Sequence, residues 1–110
     1  MTYGTTILTT SEHATGAAVL LAVGEASGLD VLAQSRRRPY VIAREVACQI
    51  MQERGIPVKG IAAMVERDHS TVVHTLDSAR WDERYSRTHT QSDFYQLKQA
   101  ALALLNNSRI

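Results

Sequence analysis

Ile61-Ala62-Ala63-Met64-Val65-Glu66-Arg67-Asp68-His69-Ser70-Thr71-Val72-Val73-His74 is the stretch on which the fold turns. Its first five residues are apolar and, with Val58 ahead of them, predict a short helix over 58–65 that packs through Ile61 and Val65. Glu66 and Arg67 follow as a tight turn, and Asp68 to Thr71 put hydrogen-bonding side chains where a second helix begins. With Val72 on the core side and about 100° per residue, Leu76 and Ala79 lie beside it, while Ser70, Thr71, His74, Asp77 and Ser78 lie on the opposite arc. Two helices joined by a turn of a few residues are a helix-turn-helix, here expected at about 58–80.

Outward from that stretch the chain continues to read as helix. Pro39 suits a first helical turn and Gly55 a C-terminal cap, which brackets a helix carrying two apolar rows, Ile42, Val46, Ile50 and Ala43, Ala47, Met51. Arg44 and Glu45 are expected to point away from that stripe, toward solvent or a ligand. Upstream, Ser11 to Ala26 reads as a buried helix, and the capping-box spacing of Ser27 and Asp30 predicts a second short helix through Leu32. Downstream, Thr90 and Asp93 offer another capping box ahead of Phe94, Leu97, Ala101, Leu104 and Leu105 at helical spacing. The Thr-rich residues 1–10 are expected to be a flexible arm and residues 11–110 one domain. With no period-2 pattern and no internal repeat, the fold expected is all-α, a compact helical bundle.

Composition narrows the function classes. The longest apolar run, Ala17 to Val23, is too short to span a bilayer, and no Lys or Arg precedes Arg36 to form a signal-peptide start, so the expectation is a cytoplasmic protein without membrane contact. A lone Cys48 allows neither an internal disulfide nor a cysteine zinc cluster. His69 and His74 lie roughly 140° apart on a helix, unlike the i, i+4 pair of zinc-binding helices, so no metal site is expected. Asp68, His69 and Ser70 are adjacent and point in different directions, so they cannot form a relay; no catalytic residue, and no enzyme, is expected. The net charge is +1 but uneven: residues 1–34 carry Glu12, Glu25 and Asp30 with no Lys or Arg, whereas residues 35–80 hold eight basic and five acidic side chains. Such asymmetry points toward nucleic acid. Its sharpest part is the triplet Arg36-Arg37-Arg38, whose planar guanidiniums suit phosphate and narrow minor grooves.

From about Ser27 to Ala79 the chain resembles the C-terminal DNA-binding domain of DnaA, the bacterial replication initiator, a Trp-repressor-like helical fold. Two blocks carry the resemblance: the Arg36 loop followed by Arg44-Glu45-Val46-Ala47, and the stretch from Ile61 to His74. It implies that the loop of Arg36, Arg37 and Arg38 enters a minor groove and that Arg44, Lys59 and Arg67 meet phosphates. It also implies that Asp68, His69, Ser70 and Thr71 meet base edges in the major groove, where Asp accepts from cytosine N4, His and Ser bond purine edges and the Thr methyl touches thymine. The chain departs from the family at Glu45, where Gln is usual, at Glu66, which replaces a Gly-rich turn, and at Asp77-Ser78, where a basic residue is usual.

No Gly-x-x-x-x-Gly-Lys-Ser/Thr loop occurs, so neither an ATPase nor a nucleotide cofactor is expected. The resemblance thus implies the DNA-reading head of an initiator without its motor: a regulator that recognises DnaA-box-like sites in duplex DNA, nucleoid-associated and cofactor-free. It is expected either to stand alone, which Met1 favours, or to belong to a larger protein. It is expected to act as a monomer, with a homodimer through the last helix as the alternative. The competing functional reading is a helical protein–protein interaction module that keeps the fold but not the DNA affinity, for which Glu45, Glu66, Asp77 and the near-neutral charge speak.

Overall fold

A computed structural model describes residues 8–107, and these form five helices and no strand. They are α1 Thr10–Ser27, α2 Arg38–Glu53, α3 Val58–Val65, α4 His69–Ser86 and α5 Asp93–Asn107. The all-α bundle follows as expected, with a Cα radius of gyration of 13.4 Å, the size of a packed domain of this length.

The ends of α1 show how local chemistry sets the boundaries. Thr9 is the N-cap: its hydroxyl accepts from the Glu12 amide at 3.0 Å while Glu12 Oε1 accepts from the Thr9 amide at 3.1 Å, a reciprocal capping box. Leu8 packs against the core, so residues 8–10 belong to the folded unit rather than to an arm. Residues 1–7 of that arm lie outside the described residues. Gly28 closes α1 in the left-handed region at φ 72°, and Gly55 does the same after α2 at φ 93°; both are conformations in which glycine avoids a Cβ clash.

The short helix expected through Leu32 is not there. Ser27 Oγ accepts from the Leu29 amide and Asp30 Oδ1 from the Leu32 amide, each at 3.1 Å, and the Ala33 amide closes a turn on the Asp30 carbonyl. Short polar side chains that bond the amide two residues ahead offer the backbone an alternative to helix, and here the alternative wins. Buried Val31 pins the turn to the core. The capping expected from Thr90 likewise moves: Ser92 Oγ accepts from the Tyr95 amide at 3.3 Å, and Thr90 instead accepts through its carbonyl from Gln96 Nε2 at 2.6 Å.

α2 is the axis of the bundle and touches every other helix. Its two expected apolar rows are buried, but so is every residue from Glu45 to Met51, which corrects the outward placement of Glu45. A helix packed on all sides has no polar face to offer, and Glu45 and Gln49 pass into the interior with it. Around this axis the core joins Val19 and Val23 of α1, Ile61 and Val65 of α3, Val72 and Leu76 of α4, and Phe94 and Leu105 of α5.

One polar joint ties α2, α4 and α5. Buried Lys98 donates through Nζ to Gln49 Oε1 at 2.6 Å and to Glu53 Oε2 and Glu83 Oε1 at 2.9 Å each. The two carboxylates are part exposed, so the ammonium is neutralised without burying three charges together. Among the described residues α1 has no close backbone approach to α4, nor α3 to α5, and Glu66 and Asp68 of the turn between α3 and α4 are exposed.

Candidate functional site

Three residues, Glu66 to Asp68, join α3 to α4. Glu66 stands at φ 59°, ψ 45°, a left-handed conformation that closes α3 through its own N–H to the Ala62 carbonyl. Asp68 is the N-cap of α4: its Oδ1 accepts from the Thr71 amide at 2.7 Å and from the Ser70 hydroxyl at 3.1 Å. The Thr71 amide, with the Thr71 and Ser70 side chains, holds the Asp68 carboxyl below its usual range. Of the residues expected to read bases, Asp68 is therefore also the one that starts the helix.

α4 divides as its sequence predicts. Val72, Leu76 and Ala79 are buried, while His69, Ser70, Thr71 and His74 are exposed along its first turns. The first turn also carries the positive end of the helix dipole outward, where an anion is favoured.

Beside that exposed arc runs an open groove of about 390 Å³. Arg36, Arg44 and Arg67 line one side and Thr71, His74 and Ser78 belong to α4. Arg44 Nη1 donates to the Ala33 carbonyl at 2.8 Å and Arg44 Nη2 to the Ser35 carbonyl at 2.5 Å. Arg67 Nη2 reaches the same Ala33 carbonyl at 2.8 Å, and its Nη1 bonds the Val65 carbonyl at 3.0 Å. Burial, and then the charge of Arg67, pull the Arg44 pKa below its ordinary value. Two arginines thus hold the loop that carries Arg36 against the turn before α4.

The three arginines of the triplet part company. Arg36 lines the groove; Arg37 is the N-cap of α2 and its amide donates to Ser35 Oγ at 3.1 Å; Arg38 turns toward Asp82 of α4, Nη2 to Oδ2 3.7 Å. Lys59 is exposed on α3 and is not part of the groove lining.

Glu45 lies under the groove floor, 3% exposed. Burial first, and then its hydrogen bond with and proximity to the Asp82 carboxyl, push its pKa up to about 8, and Oε1 has no hydrogen-bond partner among the described residues. At neutral pH it is largely uncharged, so it adds little negative charge beneath the groove. Asp77 is offset by Arg80 one turn on, Oδ1 to Nη1 3.0 Å. Cys48 is buried and its thiol is pushed up to about 12 by burial, which makes it a poor nucleophile.

No protein-family model, curated protein or solved structure matches this chain. Among the described residues no cluster of His, Cys, Asp and Glu is placed to hold a metal, and no helix is long and apolar enough to cross a membrane. Reading the residues alone misses Ala33 and Ser35, whose backbone carbonyls anchor Arg44 and Arg67, because a carbonyl acceptor leaves no trace in residue type. It also misses Gln34, Val41 and Thr75 of the groove wall, although Thr75 follows from its place four residues past Thr71, one helical turn on the same face.

Proposed function

We propose that this chain is a sequence-specific duplex-DNA-binding protein that recognises DnaA-box-like sites, with a regulatory role in replication or transcription. In this reading α3, its turn and α4 are a helix-turn-helix. α4 enters the major groove by its first turn and the Arg36 loop enters the adjacent minor groove. The observation that carries it is the joining, by Arg44 and Arg67, of a cationic loop to the exposed polar start of α4. Arg36, Arg44 and Arg67 border the same groove as Thr71 and His74 of α4, which supports a module that combines backbone anchoring with base reading.

Each guanidinium has five N–H groups, so Arg44 and Arg67 keep donors for phosphate beyond those spent on carbonyls. Burial and protonation of Glu45, and the pairing of Asp77, weaken two of the acidic features that favour a protein-binding module instead. Fluorescence anisotropy with a DnaA-box duplex, a scrambled duplex and a randomised pool tests the proposal. Binding that prefers the box, or a sequence selected from the pool, and weakens steeply with salt is expected. No binding to any duplex at low salt sinks it.

A further inference from the structure

The exposed large apolar side chains outside the α4 reading face fall into two patches of opposite electrostatic character. On the C-terminal half of α4, Trp81 is 66% and Tyr85 55% exposed, one turn apart. Arg84 lies over the indole, 4.8 Å from its centroid, and Tyr85 stacks on His89 at 3.8 Å. Among the described residues neither Arg84 nor Arg87 forms an ion pair. Trp, Tyr and Arg are the residue types that anchor protein interfaces, and here Arg84 holds Trp81 and His89 holds Tyr85 before any partner arrives.

On α1, Leu21 is 73% exposed. It borders an open groove of about 700 Å³ whose walls include Leu20, Leu29 and Met64 and whose charged residues are Glu25 and Asp30. No Lys or Arg occurs before Arg36, and neither acid is ion-paired among the described residues. The groove is thus apolar with two unpaired carboxylates at its rim, and the patch on α4 is aromatic with the unpaired Arg84 over Trp81, while Asp77 one turn before it is paired to Arg80. Leu21 on α1 and Trp81 and Tyr85 on α4 are all exposed on the same protomer.

We propose that copies of this chain associate head to tail, with Trp81 of one protomer seated in the Leu20–Leu21 groove of the next and Arg84 against Glu25. Joining two different patches makes the contact heterologous, so it propagates instead of stopping at a dimer. Neither patch includes a residue assigned to DNA, and each protomer keeps its own reading face. Neighbours on adjacent sites would be linked through the side that does not read.

Sedimentation velocity of the full chain without DNA tests this. The weight-average sedimentation coefficient is expected to rise with concentration past the dimer value. Emission from Trp81, the chain's single tryptophan, should shift to the blue in step. W81A/R84A and L21A/E25R are each expected to weaken self-association by roughly thirtyfold, the effect of losing one anchor. Mixed together, these two variants should form a 1:1 pair and nothing larger, since one good face survives on each. Far-UV circular dichroism checks that all remain folded. A chain that stays monomeric to about 1 mM, the weak end of specific association, overturns the proposal. So does a closed symmetric dimer, an unshifted Trp81 emission on association, or a variant mixture that stays monomeric. Because no DNA is present, any of these leaves the DNA reading standing.

Discussion

Arg44 and Arg67, one from the middle of α2 and one from the turn before α4, share a single acceptor: each donates to the Ala33 carbonyl oxygen at 2.8 Å. A carbonyl oxygen has two lone pairs, so the acceptor is filled. Two like charges are brought together, and both burial and Arg67 disfavour the charged Arg44. What offsets this is a set of charge-assisted bonds to carbonyls of a loop that has no helix of its own.

The pair should therefore be coupled in stability. Arg44→Met, which empties the bonds to both Ala33 and Ser35, is expected to cost about 2 kcal/mol, and Arg67→Met about 1–2 kcal/mol. Either single variant relieves the repulsion and leaves Ala33 one donor; the double variant gains that relief once and strips the carbonyl. Its cost should exceed the sum of the singles by about 0.5–1 kcal/mol in urea unfolding. Strict additivity would show that the two guanidiniums do not share the loop.

Glu45 should leave a signature in pH. A carboxyl whose folded pKa is raised to about 8 retains its proton in the folded state while the unfolded chain, near the ordinary value of 4.5, has already released it. The folded state is therefore favoured fully below about 4.5, and that contribution is lost as pH rises through 8. Glu45→Gln supplies a neutral amide of the same shape that can donate to Asp82. Melting curves are expected to coincide for the two proteins near pH 4.5 and to diverge as pH rises, with the variant more stable by about 1–3 kcal/mol at pH 8.5. Parallel profiles at all pH values would mean that Glu45 is ionised in the fold.

Much of the bundle was legible because its signals are local. Apolar rows at helical spacing located α2 and α5, Pro39 and Gly55 marked the limits of α2, and the arc of α4 followed from Val72 alone. Thr9 and Glu12 carried the capping-box spacing that starts α1, hidden in a Thr-rich stretch. The failures share a different cause. Ser27 and Asp30 satisfy a helix start and a turn equally well, and tertiary burial of Val31 decides between them. Glu45 is polar at a position that any single-helix reading sends outward, and only the packing of all the other helices around α2 reverses it. In the candidate site, the exposed face was readable and the carbonyl anchors beneath it were not.

Glu66 is the one residue other than glycine with positive φ among the described residues. A side chain there costs roughly 1–2 kcal/mol against the ordinary helical region, and glycine would avoid that while adding about 0.5–1 kcal/mol of unfolded-state entropy. Glu66→Gly is thus expected to stabilise by about 0.5–1 kcal/mol in chemical denaturation, and Glu66→Pro, which cannot take φ 59°, to destabilise by about 3 kcal/mol or more. A destabilised glycine variant would show that the Glu66 side chain contributes a contact that outweighs its backbone strain.

Under the proposed DNA reading Ser70 meets a base and Lys59 a phosphate, and variants at the two positions should separate these roles. The Ser70 hydroxyl spends its proton on Asp68 Oδ1 at 3.1 Å, so toward DNA it offers lone pairs and should accept, from adenine N6 or cytosine N4. Ser70→Ala keeps the Thr71 amide bond that caps α4, so the helix start survives. The variant is expected to lose about 0.5–1.5 kcal/mol of discrimination, the worth of one hydrogen bond, at one or two base pairs while binding scrambled duplexes as before. Lys59→Ala, from an exposed position on α3, should weaken every sequence alike and lower the salt slope by about one counterion. Arg44 is the poorer probe for this purpose, because its loss also frees the Arg36 loop. If Ser70→Ala and Lys59→Ala changed specificity and salt dependence in the same way, the division of roles between the first turn of α4 and its flanks would fail.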